Sequence, residues 1–335
     1  MMSEWLTSTP GYWQTGGFFL AGAAMLMVVL GFVTYAILAE RKVLGFMQLR
    51  HGPNRVGGRF GLLQTVADVL KLLLKEDLIP RDADRPLFII APVIAFAPAF
   101  IVIAVLPFTE QISFANIGVG LLYYIAVSGI STIGILAGGW ASNNKYALLG
   151  SMRSAAQMIS YEIPLVMSVI GIVLLTGSLN LNDIIMAQEN VAFIIKQPLA
   201  FLIFLIASVA ELNRTPFDLP EAESELVAGY HVEYSGFRFA FFMLAEYVYL
   251  FAMASLTTIL FLGGWQAIPF LDFVPGFVWF ALKFISIVFV MIWIRATFPR
   301  LRADQLMSFG WKVLLPLALA NIFITTILIE LFRSF

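Results

Sequence analysis

The chain has 335 residues, 60% of them hydrophobic and only 12% charged, with a mean hydropathy of +0.90; this excludes an ordinary soluble domain and specifies a polytopic membrane protein. A net charge of −1 supplies no electrostatic reason for a nucleic-acid partner. The absence of cysteine excludes disulfides and cysteine-ligated iron–sulfur clusters within the chain, and His51 and His231 are too few for a bis-histidine haem pair.

The first residues, MMSEWLTSTPGYWQTGG, place no Lys or Arg ahead of the first apolar run. A secretory signal would carry a basic region there, so the first span is expected to be retained. Crossing the hydrocarbon takes about 20 apolar residues in a helix. Eight segments are expected to do so: 17–39, 88–106, 119–140, 157–177, 198–211, 238–262, 276–295 and 312–332. The fifth is short. The expected class is an all-α bundle of about eight transmembrane helices, forming one domain over 1–335.

Between the first two spans, residues 61–76 (GLLQTVADVLKLLLKE) alternate with helical period. Leu62, Leu63, Val66, Val69, Leu70 and Leu73 share one face, and Gln64, Asp68, Lys71 and Lys75 the other. A helix this short and this polarised lies in the membrane interface. It serves either as a surface anchor or as the wall of a lateral opening for a lipid-like substrate.

Basic residues set the orientation. The loop 40–87 and the alternate loops 141–156, 212–237 and 296–311, with their flanks, hold every Lys and Arg except Lys196, Lys283 and Arg333. Those loops are therefore expected in the cytoplasm and both termini on the periplasmic side.

Four ionisable residues fall within or at the ends of later spans: Glu162, Glu211, Glu246 and Lys283. Such residues are costly in hydrocarbon and face the bundle interior, water or one another. They form either interhelical ion pairs such as Glu246–Lys283 or a proton relay, since burial and like-charge neighbours move carboxylates toward neutrality. Beyond the fifth span, residues 205–236 gather Glu211, Asp218, Glu221, Glu223, Glu225 and Glu233, answered locally by Arg214 alone. Pro216 and Pro220 prevent a simple helical extension there. Tyr230, Tyr234, Tyr247 and Tyr249 interleave with these acids and can continue hydrogen-bonded chains. Phe237, Phe239, Phe241 and Phe242 flank them, where a flat hydrophobic ligand can stack.

Five stretches carry a resemblance over essentially the whole chain. AERKVLGFMQLRHGPNRVGGRFGLLQTVADVLKLLLKED (39–77), SYEIP (160–164), AELNRTPFDLPEAESELVAGYHVEYSG (210–236), MLAEY (243–247) and RATFPRLRADQLMSFGWK (295–312) resemble the H-subunit family of the bacterial respiratory complex I membrane arm, counterpart of mitochondrial NADH dehydrogenase subunit 1. The one small departure is Gly57–Gly58–Arg59–Phe60, where the family more often has a shorter Gly-Pro turn.

The resemblance implies a membrane subunit of a proton-translocating NADH:quinone oxidoreductase, forming much of a quinone chamber. It implies that Glu40, Arg41 and Asp68 line the chamber entrance, with Arg295 a basic partner near the cavity. Glu211, Asp218, Glu221, Glu223 and Glu225 would form an acidic funnel, continued into the bundle by Glu162 and Glu246. Ubiquinone or menaquinone would be the substrate, with no metal or flavin in this chain. NADH, FMN and iron–sulfur clusters would sit in partners, which include the hydrophilic-arm quinone-site and terminal iron–sulfur subunits and adjacent membrane-arm subunits. The alternatives are the homologous subunit of a membrane-bound hydrogenase or of a ferredoxin- or deazaflavin-linked complex, and a stand-alone proton-coupled transporter. The completeness of GPNRVG, FGLLQ and NRTPFDLPEAESELV favours the quinone type.

Overall fold

A computed structural model describes residues 12–110, 112–218, 227–267 and 273–333, and among them there is no strand. The first helix, α1, runs Tyr12–Met47. At about 1.5 Å per residue it is longer than the hydrocarbon is thick. Its last turns, from Glu40 onward, therefore leave the apolar layer as helix rather than as loop. α2 (Gln64–Leu74) is the expected amphipathic helix, with Val66, Val69, Leu70 and Leu73 exposed.

α3 (Arg85–Ile101) contains Pro92 and Pro98 and ends in a 3-10 turn, Val102–Val105. The third expected span is two helices, α4 (Gly120–Ser128) and α5 (Ile130–Ala141), interrupted at Gly129. α5 packs tightly on α3. A Cβ on Gly134 would lie 2.7 Å from the Ala95 Cα, so only glycine permits this approach.

α6 (Lys145–Thr176) starts earlier than the sequence suggests. Residues 145–156, expected within a loop, form its first turns because the Asn144 side chain accepts from the Tyr146 N–H at 2.9 Å. The small residues Ala147, Gly150, Ser151 and Ser154 also give the new turns a buried face. Two short helices, α7 (Leu181–Met186) and α8 (Phe193–Lys196), lead into α9 (Pro198–Glu211), which has 14 residues. That is too short to cross alone.

α10 (Gly236–Phe261) is the central column. From Leu250 to Phe261 every residue is buried, as befits a helix that is apolar all round. α11 (Gly276–Thr297), α12 (Ala303–Phe309), a π-turn (Gly310–Leu314) and α13 (Leu315–Arg333) complete the order. Among the described residues, seven helical segments are long and apolar enough to cross a membrane, and α9 is a shorter apolar helix beside them. The chain is a multi-pass membrane protein.

Polar side chains tie helices where no hydrophobic gain is available. The Gln197 amide donates to the Thr325 hydroxyl at 2.9 Å and accepts from Asn321 at 3.2 Å, joining the start of α9 to α13.

Candidate functional site

At the basic-loop end of the bundle, α1, α10 and α11 bring Glu40, Glu246, Tyr247 and Arg295 together around Arg214 from the loop after α9. Arg214 is 1% exposed and is among the largest fully buried side chains. Its Nε donates to Glu246 Oε1 at 2.8 Å, and its Nη1 lies 3.4 Å from Glu40 Oε2. Arg295 closes the ring with a short ion pair to Glu40 and stands 3.9 Å from Glu246. The Tyr247 hydroxyl donates to Glu40 at 2.8 Å, and the guanidinium of Arg214 sits 4.7 Å from the Tyr247 ring centroid.

Two cations and two carboxylates therefore balance in a largely dry site. Burial opposes the charge on Arg214, and Glu40, Glu246 and Tyr247 overcome that opposition, so the guanidinium is held charged. Its neighbours satisfy only part of its fork: Nη1 and Nη2 lack a hydrogen bond among the described residues.

The loop that delivers Arg214 is irregular, and its backbone is satisfied from α6. The Gln157 side-chain amide donates to the carbonyls of Ala210 and Phe217, both at 2.8 Å, and reaches Asn213 Oδ1 at 3.1 Å. Asn213 has a left-handed φ of 51°, a conformation asparagine tolerates better than most residues. Gln157 is thus a positioning residue that sequence reasoning does not single out. Its only signal is an amide inside an otherwise apolar stretch.

Asp218 pairs with Arg300 at 3.0 Å. Burial raises its carboxyl above the usual range, with Arg300 pulling in the opposite direction.

Deeper in the bundle a cavity of about 40 Å³ joins the ring to Glu211. Its lining includes Glu246, Glu211, Asn213, Ser131, Tyr249 and Phe242. A water needs roughly 10–15 Å³ of such space and two to four polar partners, so this hollow, apolar on one side and polar at Glu211, Asn213, Ser131, Tyr249 and Glu246, can be wet. Glu211 Oε2 is buried and accepts no hydrogen bond among the described residues. Glu162 stands at the α4–α5 interruption, where a Cβ on Gly129 would lie 3.1 Å from its Oε1. The Tyr249 hydroxyl donates to the Ser128 carbonyl beside this interruption at 3.3 Å.

Glu40, Glu246 and Arg295 thus share one cluster, while Glu211 and Glu162 form a second group linked to it by the cavity. Asp218 and its Arg300 stand at the rim. Arg41, one residue beyond Glu40, turns outward and pairs with Asp68 of α2 at 2.5 Å, tying α2 to α1. Phe241 packs against Phe237 and Phe96, with ring centroids 4.7 and 5.2 Å away. Phe242 is buried against Tyr230 and Tyr234 and faces the cavity. The two phenylalanines therefore do different jobs. Glu221, Glu223 and Glu225 lie outside the described residues.

The ion pair Glu246–Lys283 does not form. Lys283 Nζ instead donates to the carbonyls of Leu262, Gly264 and Gln266 at 2.7, 3.1 and 2.7 Å. It caps the end of α10, where orphan carbonyls and the helix dipole favour a cation, and Glu246 is left to Arg214. Among the described residues no group of His, Cys, Asp and Glu is arranged to hold a metal ion.

His231, in the loop before α10, is packed edge-on against Tyr230 and Phe239. Burial pushes its imidazole down to about 4. Because the folded value lies below the unfolded one near 6.5, stability is complete above that value and is lost as pH falls from about 6.5 toward 4. The thermal-inactivation midpoint of the wild type is expected to fall more steeply between pH 7 and 5 than that of His231→Gln. Parallel slopes would show that His231 does not set this dependence.

The same residues lie within a chain that has close relatives. The family model described as NADH dehydrogenase matches residues 20–326. The H-subunit of the NADH-quinone oxidoreductase of Anoxybacillus flavithermus is 74% identical over 332 residues, covering 99% of this chain and 100% of its own length. The corresponding protein of Geobacillus kaustophilus is 75% identical over 327 residues (98% of each chain), and that of Bacillus thuringiensis 74% over 333 (99% and 100%).

Proposed function

The chain belongs to the NADH dehydrogenase family, as a membrane subunit of an NADH-quinone oxidoreductase, and on that premise we propose that it forms much of the quinone chamber and couples quinone reduction to proton movement. The observation that carries this reading is the buried, charge-balanced ring Glu40–Arg214–Glu246–Arg295, joined through a water-sized cavity to the Glu211 carboxylate, whose Oε2 has no hydrogen bond among the described residues.

Reduction of a quinone to a quinol takes up two electrons and two protons. On the family resemblance the electrons come from a partner's iron–sulfur cluster, fed by NADH and FMN elsewhere in the complex, in keeping with a chain that has no cysteine to ligate such a cluster. What this chain contributes is proton handling and position. The ring's carboxylates are each paired with a guanidinium and hold no proton to give, so a proton bound for the quinone starts on Glu211 and crosses the cavity to Glu246. Taking up that proton disrupts the Arg214–Glu246 pair at a cost of several kcal/mol, so Glu246 passes it on toward the quinone and the pair re-forms while Glu162 re-protonates Glu211. Glu221, Glu223 and Glu225 extend the acidic path from the loop. Ubiquinone and menaquinone are both compatible with this chemistry, since each takes up two electrons and two protons at its pair of carbonyl oxygens.

The quinone arrives from the bilayer between α1, α2 and α10, where the Arg41–Asp68 pair fixes the amphipathic helix and Phe241 offers an aromatic face. The basic loops, with this site, face the cytoplasm of a bacterial inner membrane, and the termini face the periplasm. The hydrophilic-arm quinone-site and terminal iron–sulfur subunits dock on that basic face.

An azido-quinone photolabel applied to the assembled complex tests the reading. Label is expected on peptides of this chain from the end of α1, from α2 and from the start of α10, and excess unlabelled quinone should suppress it. Labelling confined to other subunits would remove this chain from the chamber.

A further inference from the structure

α2 is a helix that cannot place itself. It has 11 residues, of which only Thr65 is buried, and isolated helices shorter than about 12–15 residues are marginal in water. It lies against both α1 and α10, so its position depends on what ties its two ends. Arg41–Asp68 ties its first half to α1. The other end meets the first turn of α10.

Ser235 stands immediately before α10, where a serine ordinarily bonds a free N–H of its own helix. Here it makes no such bond. Its hydroxyl instead accepts from the Leu78 N–H at 3.0 Å and donates to the Glu76 carbonyl at 3.3 Å. Both belong to the segment that leaves α2 in an extended conformation at Lys75. Gly236 lets that segment come close. Its φ is 57°, and a Cβ there would lie 3.1 Å from the Lys75 carbonyl oxygen. Arg238 pairs with Asp77 at 3.2 Å, and its guanidinium sits 5.8 Å from the Phe88 ring centroid. Ser235, Gly236 and Arg238 thus form one receptor for residues 75–78, and the serine serves it in place of capping α10.

On the reading that quinone enters between α1, α2 and α10, we propose that this clamp sets the width of that mouth. Ser235 and Arg238 are then positioning residues for passage of the quinone tail. Tied at both ends, α2 bridges the two long helices with about 16 Å of helix. Phe241 lies one helical turn beyond Arg238, so the clamp also fixes α2 relative to that aromatic face. Without the clamp, α2 keeps its tie to α1 and is free at its far end. A long isoprenoid tail has to thread the mouth along its whole length, whereas a short-tailed quinone spends little of itself there.

The test uses the assembled complex carrying Ser235→Ala, Arg238→Gln or both. Ser235→Ala removes a hydroxyl that caps nothing on α10, so assembly is expected to hold. Amide hydrogen exchange over 65–79 should quicken by about threefold to tenfold in the double variant, and by less in Ser235→Ala alone. The KM for a quinone with a long isoprenoid tail should rise by about threefold or more, with kcat nearly kept. The KM for a short-tailed quinone should move less. Arg238→Asp should act like Arg238→Gln, and Asp77→Arg combined with it should restore both readings. Quickened exchange with KM values that do not separate by tail length overturns the proposal, because the clamp is then structural alone. Unchanged exchange overturns it as well, because something else then places α2. The azido-quinone label distinguishes the two levels: a labelled wild type with no separation by tail length sinks the clamp and leaves the chamber standing, and a wild type unlabelled on this chain sinks both.

Discussion

Replacing Arg214 with leucine is expected to destabilise this membrane subunit by about 3–5 kcal/mol, the cost of breaking a buried pair by removing one partner. The geometry gives the reason. Arg214 donates to Glu246 at 2.8 Å and approaches Glu40 at 3.4 Å, with 1% of its surface exposed. Without it, the nearest cation to Glu246 Oε1 is Arg295 at 3.9 Å, and Arg295 is already committed to Glu40. Glu246 then gains by taking up a proton, and the ring loses the charge balance on which proton transfer depends. Quinone-linked NADH oxidation should fall with stability. Arg214→Lys should be intermediate, because a compact ammonium cannot reach two carboxylates as a guanidinium fork does. The double variant Arg214→Leu with Glu246→Gln should recover part of the stability, since it removes both halves of a pair and leaves no uncompensated charge. Thermal denaturation of the purified complex gives the first reading. If Arg214→Leu is as stable and as active as the wild type, the ring is not a charge-balanced unit.

Glu211→Gln separates coupling from folding. Glutamine keeps the volume, and the replaced Oε2 has no hydrogen bond to lose among the described residues. Stability is therefore expected to hold or rise slightly, because the variant buries an amide where the wild type buries a carboxylate. A group that passes protons contributes about 10²–10⁴ to rate, so quinone-linked turnover and proton pumping in liposomes should fall by about tenfold or more. Electron transfer from NADH to a water-soluble artificial acceptor should survive, since it ends at partner centres. Unchanged quinone turnover and pumping in an assembled variant would take Glu211 out of the path.

These two positions also divide the chain according to what its sequence makes readable. The all-helical class, the long apolar helices and the shortness of α9 follow from hydropathy, because crossing hydrocarbon imposes a length and composition that few soluble segments share. The amphipathic α2 follows from periodicity over one short stretch. Glu162, Glu211 and Glu246 stand out for a related reason: a carboxylate near hydrocarbon is too costly to be incidental. Glu40 and Arg295, at the ends of their expected spans, carry no such signal and are legible only through the family resemblance.

Only the tertiary structure decided who pairs with whom. Lys283 and Glu246 were natural partners by sign, yet Lys283 caps the carbonyls that end α10, and Glu246 meets Arg214 from a loop. Sequence records the charge but not the depth or rotation of its helix. Asn144 moved the start of α6 by supplying one cap, a single local contact that hydropathy averages away, and the third span is interrupted at Gly129 beside Glu162. Gln157 acquired its task only when the loop after α9 brought two carbonyls to its amide. Burial is a property of the chain's composition and can be read along it; an ion pair needs its N and O atoms within about 4 Å, across helices far apart in sequence, so pairing belongs to the fold.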